Sequence, residues 1–201
     1  MHSPEAVFDT LSIITELEPS FGRVTRLEVQ RATYLACLLA LYEGQPVADW
    51  GYRFARTEFG TPFSSSISDA LDTLAEASLI EDANGSFQLS RRGKELTQSL
   101  GEMSNLSGRK RFLHAVCGST IVVPAATLIE SLDKEPTMHS ALLRKGGAGL
   151  LDGPAIALLH EQFDALSQAV GVQGDLLTPA MIWLSYVAEQ PVSRQDRGAE
   201  S

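Results

Sequence analysis

The sequence contains few cysteines, and it has no apolar segment long enough to cross a membrane. Its 201 residues include two cysteines, Cys37 and Cys117, each in an apolar context typical of a buried free thiol. No segment reaches the ~18 consecutive apolar residues of a membrane span. The N-terminal residues lack the basic start and apolar run of a secretory signal. We therefore expect a cytoplasmic bacterial protein without a membrane contact.

Positive charge is also scarce. The chain has 16 Lys and Arg against 25 Asp and Glu, a net charge of −9. This balance argues against general affinity for nucleic acid, because cationic side chains that neutralise phosphates supply most non-specific DNA binding. A local basic group can still bind an anion, so an indirect or weak direct contact with DNA stays open. The basic groups are Arg53 with Arg56, Arg91 and Arg92 with Lys94, residues 109–111, and residues 144–145.

The patterns that would support catalysis or metal binding are incomplete. His160 and Glu161 begin an H-E-x-x-H motif, but Asp164 stands where the second histidine is needed. The glycine-rich residues 146–149 lack the Lys-Ser/Thr pair of a phosphate-binding loop. The sequence shows no nucleophile elbow and no Ser/His/Asp arrangement. We predict no catalytic residues, no metal and no cofactor, and hence a protein that acts by binding.

The first half of the chain predicts helices followed by a hairpin. A T-x-x-E capping box of Thr25 and Glu28 begins a long apolar helix, and Asn84-Gly85 is a turn pair between two short strands. Residues 27–96 thus have the helix, helix, helix, hairpin order of a winged helix. Caps and apolar spacing place the helices of this half at about residues 4–17, 26–42, 50–59, 65–78 and 91–103.

The third helix of this predicted winged helix has the wrong charge for reading DNA. Residues 65–78 include Asp69, Asp72 and Glu76 and contain no Lys or Arg. A helix of this composition cannot neutralise phosphates. The pattern therefore favours a winged helix that holds a protein partner.

The second half of the chain predicts further helices after a seam of small polar residues at 104–108. We expect helices near residues 109–116, 124–132, 136–144, 154–170 and 179–189, several of them opened by proline. The predicted fold class is mainly α, with an N-terminal winged-helix module that contains a small β-hairpin and a C-terminal helical module. The predicted domains are a winged-helix module with its N-terminal helix at 1–104, a helical module at 109–190, and a disordered tail at 191–201.

A set of aromatic and arginine side chains forms the predicted partner interface. Aromatic residues and arginine dominate the binding energy of protein interfaces. The predicted interface residues are Trp50, Arg53, Arg56, Phe63, Arg91, Arg92 and Trp183.

Short motifs within residues 27–96 resemble a bacterial defence family. The runs LEVQRATYL at 27–35, YRF at 52–54, FGTPFS at 59–64 and LSRRG at 89–93 carry the resemblance, together with residues 74–80. They are similar to the middle component of bacterial ABC three-component systems, the Lamassu-type anti-phage defence group. A related winged-helix pattern occurs in the Panacea antitoxin domain.

The resemblance implies a non-catalytic accessory subunit. Such a subunit would bridge and regulate an SMC-like ATPase and an effector nuclease in a hetero-oligomer. Two other functions stay open. One is a winged-helix transcriptional regulator that contacts DNA through Arg91 and Arg92, and the other is an antitoxin that neutralises one toxin.

Overall fold

The computed structural model describes residues 3–144, 149–171 and 175–191. The chain is mainly helical with small antiparallel sheets, which confirms the mainly α part of the predicted fold class. Most of the glycine-rich residues 146–149 and of the predicted tail 191–201 lie outside the described residues. Among the described helices, none combines the length and the apolar character that a bilayer crossing requires.

Helices account for most of the described chain. They are α1 (Pro4–Phe21), α2 (Arg26–Tyr42), α3 (Ser65–Glu76), α4 (Arg91–Gly101), α5 (Ser104–Ser107), α6 (Lys110–Val122), α7 (Ala125–Lys134), α8 (Pro136–Leu143), α9 (Ala155–Val170) and α10 (Leu177–Glu189). The strands are β1 (Val24–Thr25), β2 (Ala55–Arg56), β3 (Pro62–Phe63), β4 (Ile80–Asp82) and β5 (Ser86–Leu89), and one turn of 3-10 helix covers Val47–Trp50.

Local caps fix where the first two helices begin and end. The Thr25 hydroxyl accepts from the Glu28 amide, and the Glu28 carboxylate accepts from the Thr25 amide at 2.6 Å, so the predicted capping box is confirmed. Helix α1 continues one turn past its predicted end at Leu17. Pro19 lies inside the last turn, where it removes one helical hydrogen bond near the end of the helix, and Gly22 ends the helix with a φ of 74°.

The hairpin forms at the predicted position and gains a third strand. Asn84 and Gly85 have φ values of 57° and 80°, as a two-residue turn with left-handed central residues requires. Strands β4 and β5 pair antiparallel, and β1 adds to the other edge of β5 through Val24 opposite Phe87. The sheet order is therefore β1-β5-β4.

The helix predicted over residues 50–59 is wrong. The 3-10 turn ends at Gly51, where φ is 93°, and the chain then runs extended into β2, which pairs antiparallel with β3. Tyr52, Arg53 and Phe54 are buried, exposed and buried in turn. This alternation is that of an extended chain with one face against a core.

The two predicted modules share one hydrophobic core. Helix α6 packs against both α1 and α2, and α10 packs against α6 and α7. The seam predicted at residues 104–108 contains α5 and buries Leu106. The buried side chains of both halves belong to a single cluster.

A buried polar link joins α2 to the turn between α7 and α8. The Tyr34 hydroxyl donates to the Glu135 carboxylate at 2.7 Å and lies 2.8 Å from the Thr137 hydroxyl. Glu135 also accepts from the backbone amides of Thr137 and Met138 and so caps α8. Burial raises the pKa of Glu135, and these hydrogen bonds oppose the rise.

We expect Tyr34→Phe to lower the free energy of unfolding by about 1–3 kcal/mol, because the buried carboxylate loses a donor. A carboxyl whose pKa is raised by folding loses its stability contribution as pH rises through the folded-state pKa. Since the Tyr34 hydrogen bond lowers the pKa of Glu135, its removal should cost more at neutral pH than in acid.

Urea unfolding at several pH values measures this effect. The matched control is Tyr42→Phe, since the Tyr42 hydroxyl has no hydrogen bond within the described residues, and its cost should stay within about 0.5 kcal/mol. Equal costs for the two variants would contradict the expectation.

Candidate functional site

Two of the predicted interface residues lie in the core instead of on the surface. Trp50 is 3% exposed and Trp183 is 5% exposed. Trp50 packs edge-on against Tyr52 and Phe112, and Trp183 packs against Phe163. Neither indole is available as an interface anchor, because neighbouring aromatic rings of the core cover both.

The remaining predicted residues occupy two separate places. Arg56 and Phe63 lie on the paired strands β2 and β3, close to the exposed Arg53, and Phe63 is 37% exposed. Arg91 and Arg92 are exposed at the start of α4. The structure thus divides the predicted interface into a patch on the β2–β3 ribbon and a patch on α4.

An acidic face covers α3 and the hairpin, and we define it by its five carboxylates. Asp69, Asp72 and Glu76 are exposed and spaced by three and four residues, so they share one side of α3. Glu81 and Asp82 are exposed as well, on strand β4, which packs against α3 and points these two adjacent side chains to its opposite sides. Helical spacing in the sequence predicts the exposed α3 carboxylates, whereas no periodic signal in the sequence marks the two hairpin carboxylates.

Two arginines form ion pairs with carboxylates of the acidic face, one on α3 and one on the hairpin. The Arg26 guanidinium pairs with Asp72 at 2.6 Å, and the Arg26 amide donates to the Gly85 carbonyl in the hairpin. Arg23 lies 3.8 Å from Glu81. Because five carboxylates face two arginines, the face keeps a negative charge.

Buried contacts hold α3 in place behind this face. The Gln30 side chain donates to the Ser64 carbonyl at 3.0 Å and accepts from the Ser64 amide at 2.8 Å, so α2 fixes the residue that precedes α3. Ile67, Leu71 and Leu74 are buried on the inner side of α3. The exposed carboxylates are therefore presented by a rigid helix.

A groove between α1, α4 and α6 brings together cations that are distant in the sequence. We call it the α4–α6 groove. Its volume is about 620 Å³, and Lys94, Lys110 and Arg111 line it. The sequence placed Lys94 with Arg91 and Arg92 and placed Lys110 and Arg111 in another group, so this juxtaposition required the tertiary fold.

Arg109, the first residue of that other basic group, points inward and forms a buried ion pair with Asp9. Arg109 Nε donates to Asp9 at 2.8 Å, and Arg109 Nη2 pairs with the second carboxylate oxygen. Tyr52 donates to the same carboxylate at 2.5 Å. The guanidinium also donates to the Trp50 carbonyl and lies 3.7 Å from the centre of the indole ring.

Burial and the Asp9–Arg109 contact act in opposite directions on the pKa of each partner. Burial raises the pKa of Asp9, and hydrogen bonds from Arg109 and Tyr52 oppose the rise. Burial alone would lower the pKa of Arg109, but the Asp9 carboxylate outweighs it and raises that pKa. The pair is enclosed by aromatic rings, so its role is to hold α1, the segment after the 3-10 turn and α6 together.

The thiols and the metal-ligating residues form no reactive site in the described part of the chain. Cys37 and Cys117 are free and buried, as predicted, and burial raises the pKa of both thiols. Within residues 3–144, 149–171 and 175–191, no three His, Cys, Asp or Glu side chains are grouped so that they could hold a metal ion.

The comparisons with known proteins found no relative. No family model, no curated protein and no solved structure matches this chain. Function must therefore be inferred from the two charged surfaces and from the motifs in residues 27–96.

We expect Arg109→Met to lower the free energy of unfolding by about 3–5 kcal/mol, because Asp9 would remain buried without its cation. The matched control is Arg111→Met. The Arg111 side chain is 53% exposed and pairs with Glu43 near the surface, so its loss should cost at most about 1 kcal/mol. Denaturant unfolding measures both values, and a cost for Arg109→Met as small as that of the control would contradict the structural role.

Proposed function

We propose that this chain is a non-catalytic accessory subunit that bridges and regulates an SMC-like ATPase and an effector nuclease in bacterial anti-phage defence. The observation that carries the proposal is the acidic face on α3 and the hairpin. The motif resemblance in residues 27–96 indicates which kind of assembly the chain would join.

The topology of the N-terminal half supports a winged-helix interpretation. The helix predicted over residues 50–59 is missing from this order, and α1 supplies the third helix instead. Strand β1 lies between α1 and α2, α3 follows, and the β4–β5 hairpin comes after α3, with a sheet order of β1-β5-β4. This is the element order of a winged helix, in which α3 takes the place of the helix that reads DNA. The β2–β3 ribbon is an insertion between the second and third helices of that arrangement.

The charge of α3 favours a protein partner over DNA at this surface. A DNA duplex carries a negative charge about every 1.7 Å along its axis, and it would face Asp69, Asp72 and Glu76 directly. Charge repulsion and the absence of phosphate neutralisation would both weaken that complex. A partner with a basic surface would instead gain steering and specificity from the same carboxylates.

Affinity capture from the native operon tests the proposed function. The tagged chain is expressed with its genomic neighbours, and the bound proteins are identified by mass spectrometry. Recovery of a large SMC-like ATPase together with an effector supports the proposal. Recovery of the chain alone, with promoter DNA shifted in a gel, contradicts it in favour of a transcriptional regulator. Recovery of one small protein whose toxicity the chain neutralises contradicts it in favour of an antitoxin.

We expect Asp69→Lys combined with Glu76→Lys to weaken partner capture by about tenfold or more, since two charges that face a basic partner change sign. Both side chains are exposed on α3, so thermal stability should change little. The matched control is Glu161→Lys combined with Asp164→Lys, which reverses two exposed carboxylates on α9. Capture is measured by quantitative pull-down at two salt concentrations, and equal losses for the two double variants would contradict a role for the acidic face.

A further inference from the structure

We infer that the β2–β3 ribbon is a second partner surface, from which Phe59 enters an apolar pocket of a partner protein. This partner differs from the protein that the acidic face would bind. The inference rests on the proposed function, because a subunit that bridges two proteins needs two surfaces and the acidic face supplies one of them. Its basis is the geometry of the ribbon.

A hydrogen-bonded turn at residues 57–61, which we call the ribbon tip, joins the two strands. The Gly60 amide donates to the Thr57 carbonyl at 3.1 Å, and the Thr57 amide donates to the Thr61 carbonyl at 2.9 Å. The hydroxyl groups of Thr57 and Thr61 lie 2.8 Å apart, and the Thr57 hydroxyl also accepts from the Thr61 amide at 3.1 Å. Gly60 has a φ of 78°, as the last residue of a three-residue hairpin loop requires. The backbone of the tip is therefore fixed before any partner binds.

Phe59 extends from this fixed turn into solvent. It is 84% exposed, the highest value among the large apolar residues in the described part of the chain. The turn does not need a phenyl ring at this position, because Gly, Asn, Asp and Ser are the residues that favour turns. A single exposed apolar side chain is common on protein surfaces, so the case for a binding site depends on what surrounds Phe59.

Phe63 continues the exposed apolar surface along one face of the ribbon. Ala55 stands opposite Phe63 in the strand register, and residues paired in this way point to the same side of a sheet. Because side chains alternate along a strand, Arg53, Ala55 and Phe63 share this outer face, whereas Phe54 and Pro62 are buried on the inner face. Phe63 is 37% exposed beside the small Ala55 side chain.

Arg53 is the charged residue of the outer face. It is exposed, and it forms no ion pair with any described residue. Arg56 belongs to the inner face, where its guanidinium lies beside Gly60. Glu58, the acidic residue of the ribbon, lies in the turn and not on the paired strands. The outer face therefore has no carboxylate of its own to pair with Arg53.

The chemistry of this surface defines the partner that fits it. Aromatic and arginine side chains are the residues that contribute most to binding at protein interfaces. Exposed phenyl rings complement an apolar pocket, and an unpaired guanidinium complements a carboxylate at the border of that pocket. The acidic face on α3 instead complements a basic surface. The two surfaces thus fit partners of different chemistry.

The ribbon and the acidic face are joined without a flexible linker. Strand β3 ends at Phe63, Ser64 follows, and α3 begins at Ser65. The Gln30 side chain holds Ser64 by two hydrogen bonds, of 3.0 and 2.8 Å. Partners on the two surfaces would therefore be held in a fixed relation to each other, which is what a bridging subunit has to provide.

The test measures each partner separately. The tagged full chain is co-expressed with each protein recovered from its native operon, one protein at a time, and the captured amount is quantified by mass spectrometry. We expect Phe59→Asn to lower the capture of one of these proteins by about tenfold or more and to leave the other unchanged. Asn is favourable in turns, so the thermal stability of this variant should not fall. Phe59→Leu keeps an apolar side chain and should retain most of the binding.

The matched control is Leu158→Gln, which removes an apolar side chain that is 51% exposed on α9. This control should leave both proteins bound. Arg53→Glu is the second variant, and it should weaken the capture of the same protein as Phe59→Asn does. Its effect should be larger at low salt than at high salt, because salt screens exposed charges.

Unchanged capture of both proteins by Phe59→Asn overturns the inference, as does an equal loss in Leu158→Gln. Loss of the same protein in Phe59→Asn and in the double variant Asp69→Lys, Glu76→Lys also overturns it, since one partner would then cover both surfaces. Failure of the proposed function gives a different result. The wild-type chain then captures neither an SMC-like ATPase nor an effector, and the inference falls with it.

Discussion

The buried Asp9–Arg109 ion pair is the contact on which the arrangement of the chain depends. It joins α1 to α6, and through Tyr52 and Trp50 it fixes the segment that follows the 3-10 turn. A buried pair of this kind contributes little net stability, because desolvation offsets the charge attraction. It does penalise alternative packings, since any of them would leave a charge buried without its partner. The turn that directs Arg109 inward leaves Lys110 and Arg111 on the outside, and the α4–α6 groove therefore depends on the same contact.

The fold presents an acidic face and a groove with lysine and arginine in its lining from one core. The acidic face lies on α3 and the hairpin, whereas the α4–α6 groove concentrates lysine and arginine in a chain with a net charge of −9. A basic protein surface would complement the acidic face.

Local signals in the sequence were sufficient for the helix caps and the hairpin. The Thr25–Glu28 capping box and the Asn84-Gly85 turn are decided by neighbouring residues, and both form as predicted. The extended segment at Tyr52 and Phe54 and the burial of Trp50 are decided by distant contacts. Arg109 shows the difference most clearly: its partner Asp9 lies 100 positions away, so nothing near Arg109 distinguishes it from the exposed Lys110. The acidic side of α3 was predictable from helical spacing, but the groove required the packing of α4 against its neighbours.

Hydrogen–deuterium exchange on the proposed assembly, purified from the native operon and compared with the isolated chain, tests the proposed partner surface most directly. We expect amide exchange to slow in residues 65–76 and 80–89, which carry the acidic face, and to stay unchanged in residues 155–170 of α9. Protection confined to α9 and α10, with none on α3 or the hairpin, would show that the acidic face is not the partner surface.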